Sequence, residues 1–136
     1  MISGGEVMNR SLSRVVVKDE FLLVSDIYGT LHCLDKSTGA LNWHFDTFAA
    51  IWTTPEILGE HIYLADQDGI VNVFRASADP KVAMVNNRPV AVSELPRSIY
   101  TNPTMKRGVI YLMTGNELLA IEDPETQSNP LNFLKR

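Results

Sequence analysis

The sequence predicts an all-β chain built from three successive four-stranded antiparallel sheets. Three observations predict it. Apolar residues alternate with a period of two in short runs, turn residues separate those runs, and the pattern recurs at intervals of 40 and then 47 residues. Alternation puts one side of each strand against a core and the other side outward. No segment sustains the 3.6-residue apolar period of an amphipathic helix.

In the first unit the runs are Val15–Lys18, Phe21–Asp26, Thr30–Asp35 and Ala40–Asp46, parted by Lys18-Asp19-Glu20, Tyr28-Gly29 and Ser37-Thr38-Gly39. They are rich in Val, Leu and Phe, which suit a pleated and packed surface. The second unit reads Thr54–Leu58, Ile62–Asp66, Ile70–Arg75 and Val82–Asn86, with turns at Gly59-Glu60 and Asp68-Gly69. The third reads Asn102–Met105, Val109–Thr114, Leu118–Glu122 and a weak last strand near Asn132–Leu134, with turns at Arg107-Gly108 and Gly115-Asn116. Gly and Asn at these places are the residues that turns demand. "NNRPVAVSELPRS" joins the second and third units as a polar linker. The expected organisation is a tail over 1–12 and units over 13–48, 49–97 with the linker, and 98–136.

The repeat is visible residue by residue. Ser13–Gly29 superposes on Thr53–Gly69, and Thr101–Asn116 follows the same pattern one residue shorter. Leu34, Phe74 and Ile121 share one position, Leu31, Val71 and Leu118 a second, and Cys33, Val73 and Ala120 a third. Four short strands recurring at this spacing form the unit of a β-propeller blade.

Composition excludes several classes of function. The 136 residues carry a formal net charge of -4, which argues against nucleic-acid or anionic-membrane surfaces that need clustered Lys and Arg. No run of apolar residues approaches a membrane span. The start, "MISGGEVMNR", has neither a basic nor an apolar leader region, so no signal peptide is expected. Cys33 is the one cysteine, so no internal disulfide forms and redox chemistry does not indicate a compartment.

The segment "CLDKSTGALNW", Cys33 to Trp43, combines a tight turn with a large aromatic. Asp35 can accept from backbone N–H groups of the turn, and Gly39 can adopt positive φ at its end. Trp43 then lies where its indole can clamp a neighbouring sheet, and such a side chain buries roughly 150–250 Å². Asp35, Thr38, Gly39 and Trp43 resemble the tryptophan-docking motif of the PQQ-like, or quinoprotein alcohol dehydrogenase-like, propeller repeats. "DIYGTLHCLD" and "DQDGIVNVF" look like the hairpins of that family, and "IWTTP" and "IYTNP" like its approach to each innermost strand. The resemblance covers Ser13 to Asp123, and the docking motif is intact in the first unit alone. The corresponding positions are Arg75, Ala78, Asp79 and Ala83 in unit two, and Glu122, Glu125, Thr126 and Pro130 in unit three.

The resemblance implies a propeller segment, and its departures from the family's catalytic pattern lead to the expectation that the segment is not itself an enzyme, the full-length parent's activity staying open. Family dehydrogenases hold calcium and a quinone with Glu, Asn, Asp and Trp side chains and often a vicinal cysteine pair. No Cys-Cys occurs here, and no residue matches those roles by motif. No catalytic, cofactor-binding or metal-ligating residue is assigned, and no cofactor is expected. Asp66 and Asp68 fit a hairpin turn better than a calcium loop, because no Glu closes the loop. His32 is expected on a sheet face or rim, and Cys33 as a small buried residue.

Trp52 and Tyr100 align just before innermost strands, near one mouth of the stack. Inter-blade packing is one reading of them. The other is a recognition surface formed with Arg97, Asp66 and Asp68, since aromatics and Arg anchor protein interfaces. The expected function is therefore a protein-binding or scaffold module, with a fragment of a quinoprotein dehydrogenase as the alternative. Three blades do not close a ring. The open arrangements are a segment of a longer propeller, two copies forming a six-bladed ring, or an open stack. Expected partners are thus remaining blades, a second copy or another protein. Relatives of this kind are mostly exported, which suggests a periplasmic or exported parent.

Overall fold

A computed structural model describes residues 9–95, 98–102, 104–107, 109–122 and 134–135. Its strands are β1 (Val16–Lys18), β2 (Phe21–Ser25), β3 (Thr30–Asp35), β4 (Leu41–Asp46), β5 (Glu56–Leu58), β6 (His61–Ala65), β7 (Ile70–Arg75), β8 (Ala91–Glu94), β9 (Thr104–Lys106), β10 (Val109–Met113), β11 (Leu118–Glu122) and β12 (Leu134–Lys135). One short helix, α1, spans Pro80–Ala83. The strands form three four-stranded sheets in the orders β1-β2-β3-β4, β5-β6-β7-β8 and β9-β10-β11-β12. Every pairing is antiparallel between strands adjacent in sequence. The chain is an all-β propeller segment of three open blades.

The period-two pattern gives each sheet two faces, and the facing ones pack in two seams. Leu23, Leu31, Cys33 and Trp43 of the first sheet meet Ile62, Leu64 and Phe74 of the second in one core cluster. The opposite face of the second sheet, with Tyr63, Ala65, Val71 and Val73, meets Leu112 and Leu119 of the third in another. Each sheet is too thin to have an interior of its own, so the seams between sheets are the core. Cys33 lies in the first seam, fully buried, and burial pushes its thiol up to about 12.

One element departs from the sequence expectation. The fourth strand of the second sheet is Ala91–Glu94, not Val82–Asn86. Asp79 caps α1 by accepting from the Lys81 N–H at 2.9 Å, and Pro80 stands in its first turn, where its missing N–H costs nothing. Asn86 and Asn87 then turn with φ of 52° and 59°, bridging Val85 to Arg88. Two consecutive positive φ values define a tight reversal that Asn tolerates. The linker thus contains the missing strand, and Val73 pairs with Ala91 as Cys33 pairs with Trp43. The structural counterpart of Trp43 is Ala91 rather than Ala83.

Candidate binding surface at one end of the sheets

The up-and-down strand order sends one set of turns to each end of the stack. At one end lie the β2–β3, β6–β7 and β10–β11 hairpins, together with the connections that lead from each sheet to the next. This end is built by repeated hydrogen bonds. Asp26 accepts from the N–H groups of Tyr28 and Thr30, both at 3.1 Å. Asp66 accepts from those of Asp68 and Ile70 at 3.0 and 3.1 Å. Gly29 closes the first hairpin with φ of 109°, and a β-carbon there would lie 2.4 Å from the Ala49 carbonyl oxygen.

Hydroxyl groups tie the approach to each innermost strand. Ser13, Thr53 and Thr101 occupy one repeat position, and their hydroxyls donate to the carbonyls of Ser25, Ala65 and Met113 at 3.2, 2.8 and 3.1 Å. The next residues link one unit to another. The Arg14 N–H donates to Thr54 Oγ1 at 3.0 Å, and the Thr54 N–H donates to Asn102 Oδ1 at 2.6 Å. These bonds give a physical reason for hydroxyl and amide residues in "IWTTP" and "IYTNP".

On this framework the end displays apolar side chains. Leu12, Trp52 and Tyr100 share one repeat position and are 55%, 36% and 57% exposed. Tyr28 at the first hairpin and Phe48 in the β4–β5 connection are also exposed, Phe48 to 90%. The Phe48 backbone is held at φ of 61°, and its N–H donates to Asp46 Oδ1 at 2.8 Å. The Trp52 indole donates to Gln67 Oε1 at 2.7 Å, which orients its ring beside the β6–β7 hairpin. Four of the five exposed aromatic residues among the described ones therefore lie at one end; the fifth, Tyr111, is on a sheet face.

The structure brings Trp52, Asp68 and the second hairpin together, with Asp68 exposed. Asp66 is 1% exposed and turned inward as a cap, so it shapes this surface without presenting its carboxylate. Arg97 lies outside the described residues. Phe48 and Tyr28 were not singled out from the sequence. Their signal is an aromatic residue inside a turn, in "DTFAA" and "DIYG", where no strand alternation calls for one.

The two hairpin aspartates differ in electrostatics. Burial pushes Asp26 up, but the Thr30 N–H, the His32 ring and the Tyr28 N–H together bring it below its ordinary value. His32 Nε2 lies 3.2 Å from Asp26 Oδ2, and His32 is buried rather than on a rim. In the second unit Asn72 replaces His32. Burial there leaves Asp66 above its ordinary value despite the Ile70 and Asp68 N–H groups. Among the described residues, no three His, Cys, Asp or Glu side chains gather to hold a metal ion. No helix among them is long and apolar enough to cross a membrane.

At the other end, Asp35 caps the β3–β4 turn. It accepts from the N–H groups of Ser37 and Thr38 at 2.9 and 2.8 Å and from both hydroxyls. Hydrogen bonds from the Ser37 hydroxyl first, then from Thr38, bring its carboxyl down to about 2. Gly39 has φ of 75°. Trp43 is 4% exposed; its ring centroid stands 5.6 Å from that of Phe74, and its indole donates to the Ser77 carbonyl at 2.9 Å. Ala83 and Met84, in and after α1, belong to the same cluster.

A family model described as outer membrane protein assembly factor BamB matches residues 4–126. Outer membrane protein assembly factor BamB of Shewanella oneidensis is 29% identical over 68 residues, 49% of this chain and 17% of that protein. The crystal structure of BamB from Moraxella catarrhalis superposes with a TM-score of 0.64 at 22% identity, over 85% of this chain and 34% of that one. Quinohemoprotein alcohol dehydrogenase ADHIIG from Pseudomonas putida HK5 superposes with a TM-score of 0.65 at 13% identity, over 85% of this chain and 19% of that one. The chain thus spans a minor part of the length of each of these proteins.

Proposed function

The chain belongs to the PQQ-like β-propeller family described as outer membrane protein assembly factor BamB, and from that premise we propose that it is a non-catalytic protein-binding and scaffold segment. One observation carries the proposal: Leu12, Trp52 and Tyr100 recur at one repeat position, stay exposed, and share an end with Tyr28 and Phe48. Aromatic residues are costly to leave in water and are enriched at protein interfaces. Here the Trp52 indole bonds Gln67, and the Tyr28 and Phe48 backbone N–H groups bond Asp26 and Asp46, without covering the three side chains. Asp46, Asp68 and Glu94 stand exposed at the same end, so a partner with apolar and basic side chains fits it best.

The relatives are named for outer membrane protein assembly. By that likeness the proposed partner is a protein of an assembly complex, and the proposed location is outside the cytoplasm. The sheets supply rigid support, and the loops supply contacts.

Photo-crosslinking in cells tests this reading. A benzoylphenylalanine placed at Phe48, Trp52 or Tyr100 should give one shared protein adduct. The same probe at Lys36 or Lys81, at the opposite end, should not. Equal adducts from both ends, or an adduct confined to the opposite end, would remove the proposed surface. A dehydrogenase role is tested separately by adding pyrroloquinoline quinone with calcium. The proposal expects an unchanged melting temperature; a stoichiometric stabilising shift would favour the enzyme.

A further inference from the structure

Phe48 is the most exposed large apolar side chain among the described residues, at 90%. Its φ of 61° lies in the left-handed region, which a bulky residue rarely adopts. Such a conformation persists only where the surroundings over-determine it. Here the Phe48 N–H is held by Asp46 Oδ1 at 2.8 Å. The Thr47 N–H donates to the Gly29 carbonyl at 2.9 Å. The Thr47 hydroxyl bridges two carbonyls, that of Gly29 at 3.0 Å and that of Ala49 at 2.9 Å. The residues on both sides of Phe48 are thereby tied to the β2–β3 hairpin. The next unit makes the corresponding backbone bond, from the Leu95 N–H to the Gly69 carbonyl at 2.8 Å. Leu95 is buried, so that connection is secured by apolar packing. The hydroxyl clamp belongs to the loop that displays Phe48.

We infer that Thr47 is a positioning residue, which sets Phe48 in advance as the anchor of the binding surface, and that the protein partner supplies an apolar recess for its ring. The inference rests on the protein-binding reading of this end and adds which side chain leads and what receives it. Buried aromatic anchors that fill pockets dominate interface energies. An anchor whose backbone is already fixed loses less freedom on binding, so the clamp contributes to affinity without touching the partner. The exposed Asp46 carboxylate beside it favours cationic side chains at the rim of the recess.

Two measurements test the inference. Nitrogen-15 relaxation of the free chain should give the Phe48 N–H an order parameter of about 0.85, falling below about 0.6 in Thr47→Val and recovering in Thr47→Ser, which keeps the hydroxyl. In cells, benzoylphenylalanine at Tyr100 reports partner binding. Its adduct should fall severalfold with Phe48→Ser and with Thr47→Val, and return with Thr47→Ser. Circular dichroism should show native folding for all three variants. An adduct that needs Phe48 but is indifferent to Thr47→Val overturns the inference and leaves the protein-binding reading standing. So does a Phe48 N–H that stays equally ordered in Thr47→Val. No adduct from Tyr100, Trp52 or Phe48 removes the protein-binding reading and the inference with it.

Discussion

Trp43 of the first sheet and Ser77 of the second unit are joined by an indole-to-carbonyl hydrogen bond of 2.9 Å across the seam between their sheets. Below it the indole rests against Phe74, and the same cluster takes in Ala83 and Met84 of the excursion after β7. The excursion that displaces the fourth strand of the second sheet therefore also forms the seat for the tryptophan. Trp43→Ala should lower the unfolding free energy by about 3–5 kcal/mol, from lost burial and the cavity left behind. Trp43→Phe should cost less, since it keeps most of the contact area and loses the bond to Ser77. Urea denaturation monitored by circular dichroism checks both values and their order.

The Asp35 turn predicts a pH dependence. Its folded carboxyl is at about 2, against an ordinary value of 3.8. A depressed folded value means the cap contributes fully above the unfolded value and is lost as pH falls through the folded one. The stability difference between the parent and Asp35→Ala should stay constant above about pH 4 and shrink as pH falls toward 2. A difference that is constant over that whole window would mean that the carboxylate does not hold the turn.

Asp26 and Asp66 offer a comparison within one molecule. They hold equivalent hairpins, yet one carboxyl is lowered and the other raised. The partner at the following repeat position, His32 or Asn72, differs between them. His32→Asn should raise the Asp26 titration midpoint toward that of Asp66, read by carbon-13 carboxyl shifts. An unmoved Asp26 would exclude His32 as a cause of the difference.

Two glycines should respond differently to one methyl group. Gly29→Ala combines a φ of 109° with a β-carbon 2.4 Å from a backbone carbonyl oxygen, while nothing lies within 4 Å of the corresponding position at Gly115. Thermal unfolding should show a loss of roughly 1–3 kcal/mol for Gly29→Ala and little change for Gly115→Ala.

Much of the architecture is legible in the sequence because period two and turn chemistry are local signals. The runs around Leu23, Leu64 and Leu112 alternate as strands must, and the hairpins carry Gly29, Gly69 and Gly115. The fourth strand of the second sheet is not legible from local pattern. "KVAMV" alternates well enough to read as a strand, but the preceding Asp79-Pro80 caps a helix instead. Trp43 announces a seam, whereas its acceptor does not, because any residue supplies a carbonyl and only the fold brings Ser77 to it. The His32–Asp26 pair is hidden for a related reason: six residues apart, they meet only when the hairpin forms. Trp52 and Tyr100 stand out by alignment, while Phe48 and Tyr28 required the shared end of the stack to be seen as neighbours in function.

The claim most in need of a direct number is that the aromatic end binds protein. Once crosslinking supplies the partner, calorimetric titration should compare Phe48→Ser and Trp52→Ala with Val82→Ser, an exposed residue of α1 at the opposite end. Affinity should fall about tenfold or more for the first two and stay unchanged for the third. Unchanged binding by Phe48→Ser and Trp52→Ala, with a loss in Val82→Ser, would contradict it.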